Sequence, residues 1–248
     1  MKSIAFLGAK TIGLECLKIL LEKREEGDYS IDAVFTNLNR NTEVNMQLLA
    51  LAKENDLNVY EEINELLDLD KFDVIISVQY HEILKKEHIS RAGLAINLHM
   101  APLPEYRGCN QFSYAIINGA KVFGTTLHVI DERIDNGDII AEYRFDIPEN
   151  CFVDELYEET MNHSLALFQE NIVRIVKGDY VRIPQKELVA ERGTMTGYRR
   201  DIDKLKQIDL SWDKERIAAH IRATSMYGFD PPYTVIGCKK VHLIVDRG

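Results

Sequence analysis

Short, nearly continuous apolar runs recur along the first hundred residues: IAFLG (4–8), IDAVFT (31–36), DVIISV (73–78) and LAINLH (94–99). Their length and β-branched content predict strands buried on both faces. Between the first two, TIGLECLKILLEKRE sets Ile12, Cys16, Leu17, Ile19 and Leu20 at helical spacing. Strands separated by such helices imply an α/β domain of doubly wound type, its sheet mostly parallel, because each crossover must lay its helix over the sheet. Two further strands are predicted at GTTLHVI (124–130) and IIAEYRF (139–145), joined by the polar turn DERIDNGD. A long amphipathic helix over about 153–176 then carries Leu156, Met161, Leu165, Phe168, Ile172 and Ile175 on one face and ends at Gly178.

After Pro184 the texture changes. QKELVAERGTMTGYRRDIDKLKQID has few large apolar residues and reads as surface loop. WDKERIAAHIRAT reads as a helix capped by Ser211, and GFDPPYTVIGCKKVHLIV as a small hairpin turning at residues 237–239. So short a tail cannot support its own core and is expected to pack on the main domain or on a second subunit. The hairpin ends in VHLIV, more apolar surface than it can bury alone, which predicts a homodimer.

The chain has 248 residues, enough for one sizeable domain with an appendage. Its net charge of −10 disfavours a nucleic-acid backbone or an anionic membrane as partner. Cys16, Cys109, Cys151 and Cys238 lie far apart with no C-x-x-C pair, a pattern of free thiols in a reducing compartment, read as cytoplasmic. The opening apolar stretch is far short of a signal-peptide core, and no later run approaches membrane-span length.

Two stretches invite a chemical reading. GAKTIG follows the first strand, but Lys10 stands where a dinucleotide loop needs a glycine, and no Gly-Lys-Ser/Thr closes it, so Gly8 and Gly13 read as a tight strand-to-helix turn. AINLHMAPLPEYRGCNQ (95–111) says more. Asn97 and His99 are two apart at a strand end and leave the same face, at the carboxyl edge where open α/β sheets bind ligands. Pro102 and Pro104 stop the strand, and Gly108 permits a turn into a helix over about 110–118. A strand-end Asn and His are also common as structural hydrogen-bonding groups. His128 sits in an alternating strand with no partner at ligand spacing and reads as structural, and no metal is expected. His81 and His88 read as exposed helix residues. Asp131 and Glu132 read as part of a solvated turn, with positive φ supplied at Asn136 and Gly137.

In order and spacing, I-N-L-H, L-P-E-Y-R-G, G-T-T-L-H-V-I-D and I-D-N-G-D-I-I resemble the signature of the formyltetrahydrofolate-dependent formyltransferases, strongly over 94–140 and more weakly elsewhere. The resemblance implies a formyltransferase-type Rossmann-like catalytic domain (1–184) with a loop, helix and β-hairpin tail (185–248). It carries the family's catalytic Asn, His and Asp onto Asn97, His99 and Asp135. The chemistry of those residue types agrees. Formyl transfer to an amine needs a donor for the developing oxyanion (Asn97), a base for the amine proton (His99) and a carboxylate to orient and charge-stabilise the imidazolium (Asp135). The cosubstrate implied is N(10)-formyltetrahydrofolate, lying on the backbone after the DVIISV strand (Gln79, Tyr80, His81, Glu82, Ile83) and on the loop before Asp135.

Within the family, M-A-P-L-P-E-Y-R-G-C-N-Q-F looks most like the bacterial N-formyltransferases of dTDP-linked amino-deoxyhexoses destined for O-antigens. Tyr106, Asn110 and Gln111 are then candidates for the sugar, although Asn110 suits a helix N-cap equally well. Tyr227, Phe229 and Tyr233 offer rings for the base, and Arg199, Arg200 or Lys204 cations for the pyrophosphate, although aromatics beside Pro-Pro commonly serve packing. Methionyl-tRNA formyltransferase and a catalytically silent folate- or nucleotide-binding module are the alternatives. The acidic net charge and short tail speak against the first, the complete triad against the second.

Overall fold

The computed structural model describes residues 1–37 and 42–245. β1 (Lys2–Gly8) leads into α1 (Lys10–Gly27), β2 (Tyr29–Phe35), α2 (Thr42–Glu54) and the two-residue β3 (Val59–Tyr60). Next come β4 (Phe72–Val78), a short α3 (Lys86–Ile89), β5 (Ala92–His99), β6 (Tyr106–Gly108) and α4 (Gln111–Ile117). β7 (Val122–Val129), β8 (Ile139–Asp146) and α5 (Val153–Val176) complete the larger part. The remainder holds α6 (Gln185–Arg192), β9 (Met195–Gly197), α7 (Ile202–Lys206), α8 (Lys214–Thr224) and the hairpin β10 (Tyr233–Ile236) and β11 (Lys239–His242).

Seven strands form one sheet in the order β3-β2-β1-β4-β5-β7-β8. The first five run parallel, while β7 and β8 are antiparallel additions on the β5 side, as the hairpin-like spacing of 124–145 implies. β1 shows why its run is apolar throughout: Ile4 and Phe6 pack with Leu17, Leu20 and Phe168 on one face, and Ala5 and Leu7 with Phe35 and Leu66 on the other. Burying a side chain such as Phe6 contributes about 1.5–3 kcal/mol. Gly13 is required by close approach, since a Cβ there would stand 3.1 Å from the Gly8 backbone where α1 leaves β1. GAKTIG is thus the tight turn its sequence suggested.

The segment after Pro184 departs from the loop reading. Residues 185–192 form α6, 195–197 pair as β9 with β6, and 202–206 form α7. Gln185 is the only buried residue of α6, so the helix carries no apolar stripe to read. Strong helix formers and tertiary bonds sustain it instead: Arg192 holds Glu142 of β8 through two 2.9 Å bonds. The cap of α8 is Asp213, not Ser211, its carboxylate accepting from the Arg216 amide at 2.8 Å. Asn110 occupies the position before α4, but with φ 59° its side chain does not cap, and its Nδ2 donates to the Tyr198 carbonyl at 2.7 Å. The tail hairpin forms as read, turning at Gly237 and Cys238. α8 packs against α4, which seats the tail on the larger part. All four cysteines are free. No helix among the described residues is long and apolar enough to cross a membrane.

Candidate active site

The end of β5 meets β7 and the loop that follows it. In the β5–β7 pairing Asn97 lies opposite His128, and His99 opposite Thr126. β7 carries a register irregularity against β8 at Leu127/His128, the kind of local kink that re-aims side chains beside functional sites. The 130–138 loop then turns back over these residues and brings Asp135 to them. Gly137 makes that path feasible, because a Cβ there would collide with the Val129 carbonyl. Asp135 itself takes a left-handed backbone, φ 45°, a conformation that Asp and Asn tolerate better than most residues.

His99 is 5% exposed. Its Nε2 lies 2.7 Å from the Tyr106 carbonyl, which can only accept, so Nε2 carries a proton. The ring's Nδ1 faces Asp135 Oδ2 across 3.6 Å. The same Oδ2 accepts from the Gly108 amide at 2.9 Å. Burial on its own would raise the Asp135 carboxyl, but the charges and bonds of His99, His128 and Gly108 together hold it well below the usual carboxylate range. The carboxylate is therefore ionised and pinned.

His128 is a fourth member that the sequence reading set aside as merely structural. It is buried, its Nδ1 donates to the Val129 carbonyl at 2.8 Å, and its Nε2 accepts from Asn97 Nδ2 at 3.1 Å while standing 3.5 Å from Asp135 Oδ1. The second hydrogen of Asn97 Nδ2 reaches Asp135 Oδ1 only at 3.5 Å. One amide hydrogen is thus committed, and the other is loosely held.

The strip after β4 has its own character. Gln79 is left-handed at φ 52° and accepts from Lys10 Nζ at 3.0 Å. Among the described residues the amides of Tyr80, Glu82 and Ile83 make no hydrogen bond, and the buried Tyr80 hydroxyl has no partner. Such open donors beside a fixed turn suit the edge of a heterocycle. Neither of the two histidines is an exposed helix residue. His81 lies in this turn with its Nε2 2.9 Å from Asn37 Nδ2, and His88 is buried on α3 between the Lys85 amide and Asn64.

Of the remaining candidates, Tyr106 lends the site its carbonyl while its ring packs on Phe123, and Gln111 is buried at the start of α4. Arg199 follows β9 close to Lys10. Lys10 keeps exposed surface, yet enclosure of its ammonium, and then the Arg199 charge, lower it below its ordinary value. Arg200 lies over the Tyr198 ring. Tyr227 and Phe229 are 93% and 66% exposed and line an apolar groove of about 290 Å³ with Asp154, Pro231 and Leu243. Tyr233 carries Lys240 on its ring at 3.9 Å. No contact among the described residues ties these three rings to Asn97, His99 or Asp135. No group of three or more His, Cys, Asp or Glu suited to a metal ion occurs among the described residues.

Residues 24–172 match the model of the formyl transferase family. The chain belongs to that family. Among relatives, the methionyl-tRNA formyltransferase of Clostridium novyi (strain NT) is 29% identical over 231 residues, 88% of this chain and 71% of that protein. The chain spans 51–63% of the length of several other methionyl-tRNA formyltransferases it matches. Among solved structures, a sugar N-formyltransferase from Shewanella sp FDAARGOS_354 superposes with TM-score 0.81 at 17% identity, covering 99% of this chain and 97% of that one. The N-formyltransferase from Helicobacter canadensis, solved with folinic acid and dTDP-3-aminofucose, gives TM-score 0.77 at 25% identity, covering 97% and 86%. In this formyl transferase chain the matched region therefore holds Asn97, His99, His128 and Asp135 but stops short of α6.

Proposed function

We propose that the chain transfers the formyl group of N(10)-formyltetrahydrofolate to the amine of a dTDP-linked amino sugar, with dTDP-4-amino-4,6-dideoxyglucose as first candidate and O-antigen as the destination. The observation that carries the transfer chemistry is the largely buried cluster in which an ionised Asp135 faces Nδ1 of His99. The bound folate supplies the activated formyl carbon, and the amides of Tyr80, Glu82 and Ile83, unbonded among the described residues, suit its pteridine. His99 Nδ1 takes the amine proton as the new C–N bond forms, the resulting imidazolium meets the Asp135 carboxylate in a charge-assisted hydrogen bond, and the proton passes on to the folate nitrogen as its bond to the formyl carbon breaks. Asn97 turns its loosely held Nδ2 hydrogen onto the formyl oxygen as negative charge grows there. Asp135 keeps its orientation through the Gly108 amide.

The sugar reading draws support from the net charge of −10, unfavourable for a tRNA backbone, and from solved sugar N-formyltransferases that match the chain nearly end to end. Arg199, whose charge acts on Lys10, is the cation proposed for the pyrophosphate. The test is incubation with formyl-folate and a panel of dTDP-4-amino and dTDP-3-amino hexoses and methionyl-tRNA, each product weighed for one added formyl group. Turnover is expected for a dTDP-amino sugar, with dTDP alone competing against the sugar. Efficient formylation of methionyl-tRNA, with no inhibition by dTDP, would put the tRNA reading in its place.

The tail is proposed as a homodimer interface. Val235, Ile236, Val241 and Ile244 are exposed on and after the hairpin, beside the apolar groove, and single side chains of that size are costly to leave in water together. Sedimentation at micromolar concentration is expected to give a dimer that Ile236→Glu, on the exposed strand, converts to monomer. A monomeric parent removes the proposal.

A further inference from the structure

Gln185 opens α6, is 2% exposed, and has its whole amide committed. Its Nε2 donates to the Asp135 carbonyl at 2.9 Å and to the Gly137 carbonyl at 2.7 Å. Its Oε1 accepts from Arg107 Nε at 3.1 Å and Arg107 Nη2 at 2.7 Å. Both donor hydrogens therefore go to the loop that carries the Asp135 carboxylate. The acceptor goes to the strand whose next residue, Gly108, donates its amide to that carboxylate.

Arg107 gives this arrangement its point. Asp131 and Asp135 are the acidic groups whose charges act on its guanidinium, yet its hydrogen bonds go to the neutral Gln185 oxygen rather than to either carboxylate. An Arg107 released from Gln185 stands one residue from the Gly108–Asp135 bond, free to pair with Asp135 and draw it from His99. The β6–β9 pairing, Tyr106 with Met195 through Gly108 with Gly197, fixes the distance between these parts.

We infer that Gln185 is a positioning residue for Asp135, holding the left-handed turn of the 135–137 loop and keeping Arg107 off the carboxylate that faces His99. The segment 185–197 then belongs to the catalytic unit and not to a separable tail. This rests on the formyl-transfer reading above.

The test compares the parent, Gln185→Met and Gln185→Met/Arg107→Gln in full-length protein, by steady-state formyl transfer and by hydrogen exchange of the Gly108 amide. A misplaced carboxylate is expected to lower kcat of Gln185→Met about 10- to 100-fold. KM for folate and amine should stay within about threefold, because binding contacts are untouched. The Gly108 amide should lose protection, and removing the Arg107 charge in the double variant should recover part of kcat, which a side chain that only fills space would not allow. Unchanged kcat with a merely lower Tm, or no recovery in the double variant, overturns the inference. Where Gln185→Met does not fold, Gln185→Glu retains an acceptor for Arg107 and loses both donors, and the same loss of kcat and protection is expected. A parent that formylates none of the amines ends the formyl-transfer reading, while the exchange measurement still decides whether Gln185 fixes the loop.

Discussion

His99→Asn and Asp135→Asn are each expected to fold as the parent does and to lose about 10²- to 10⁴-fold in kcat, the usual worth of a positioned general base. His99 has one nitrogen spent on the Tyr106 carbonyl and one facing Asp135, and the variant amide supplies no basic nitrogen for the amine. Asp135→Asn retains an oxygen for the Gly108 amide and removes only the charge. The two losses should not add, since either variant abolishes the same ion pair. Near-parental kcat in either variant at unchanged Tm would end the proposed roles.

Asp135 also predicts an acid response. His99, His128 and Gly108, working against burial, depress its carboxyl, so its ionisation stabilises the folded chain fully above the unfolded-state value of about 3.9. That contribution fades below this value as pH falls towards the lower folded one. Thermal melting between about pH 5 and about pH 3 should therefore show a steeper drop for the parent than for Asp135→Asn.

Asn97→Ala is expected to cost roughly 2.7–4 kcal/mol in transition-state stabilisation, the range for removing one donor from an oxyanion site. The effect should fall on kcat, because Asn97 acts on charge that grows only as the amine adds. His128 loses its Asn97 donor in the same variant, so Tm should fall as well. Asn97→Asp keeps the shape but replaces the donor with an acceptor, and should be at least as slow. A variant whose whole deficit lies in folate affinity would assign Asn97 to binding the cosubstrate.

The parallel half of the sheet was legible because β1, β2, β4 and β5 each carry a run of apolar residues buried on both faces. β3 was not, being two residues long at the edge. Asn97, His99 and Asp135 came from the motif, but His128 was passed over because its partner Asn97 is 31 residues away and only strand register joins them. Reading residues 124–130 as antiparallel to 94–99, with even positions facing the same side, was the signal available. His88 misled for a related reason: its burial comes from Asn64 and the Lys85 amide, which no periodicity records. Gln185 left no trace in composition at all, since a single committed amide in a polar helix looks like any other surface residue.

The bond from Gln185 to Asp135 spans 50 residues of chain. At a synthesis rate of about 5–20 residues per second, the ribosome makes the carboxylate roughly 3 to 10 s before the amide that fastens its loop. A nascent chain stopped at residue 184 therefore holds Asn97, His99, His128 and Asp135 with the loop unfastened. Turnover during synthesis should rise about 10- to 100-fold once α6 has emerged.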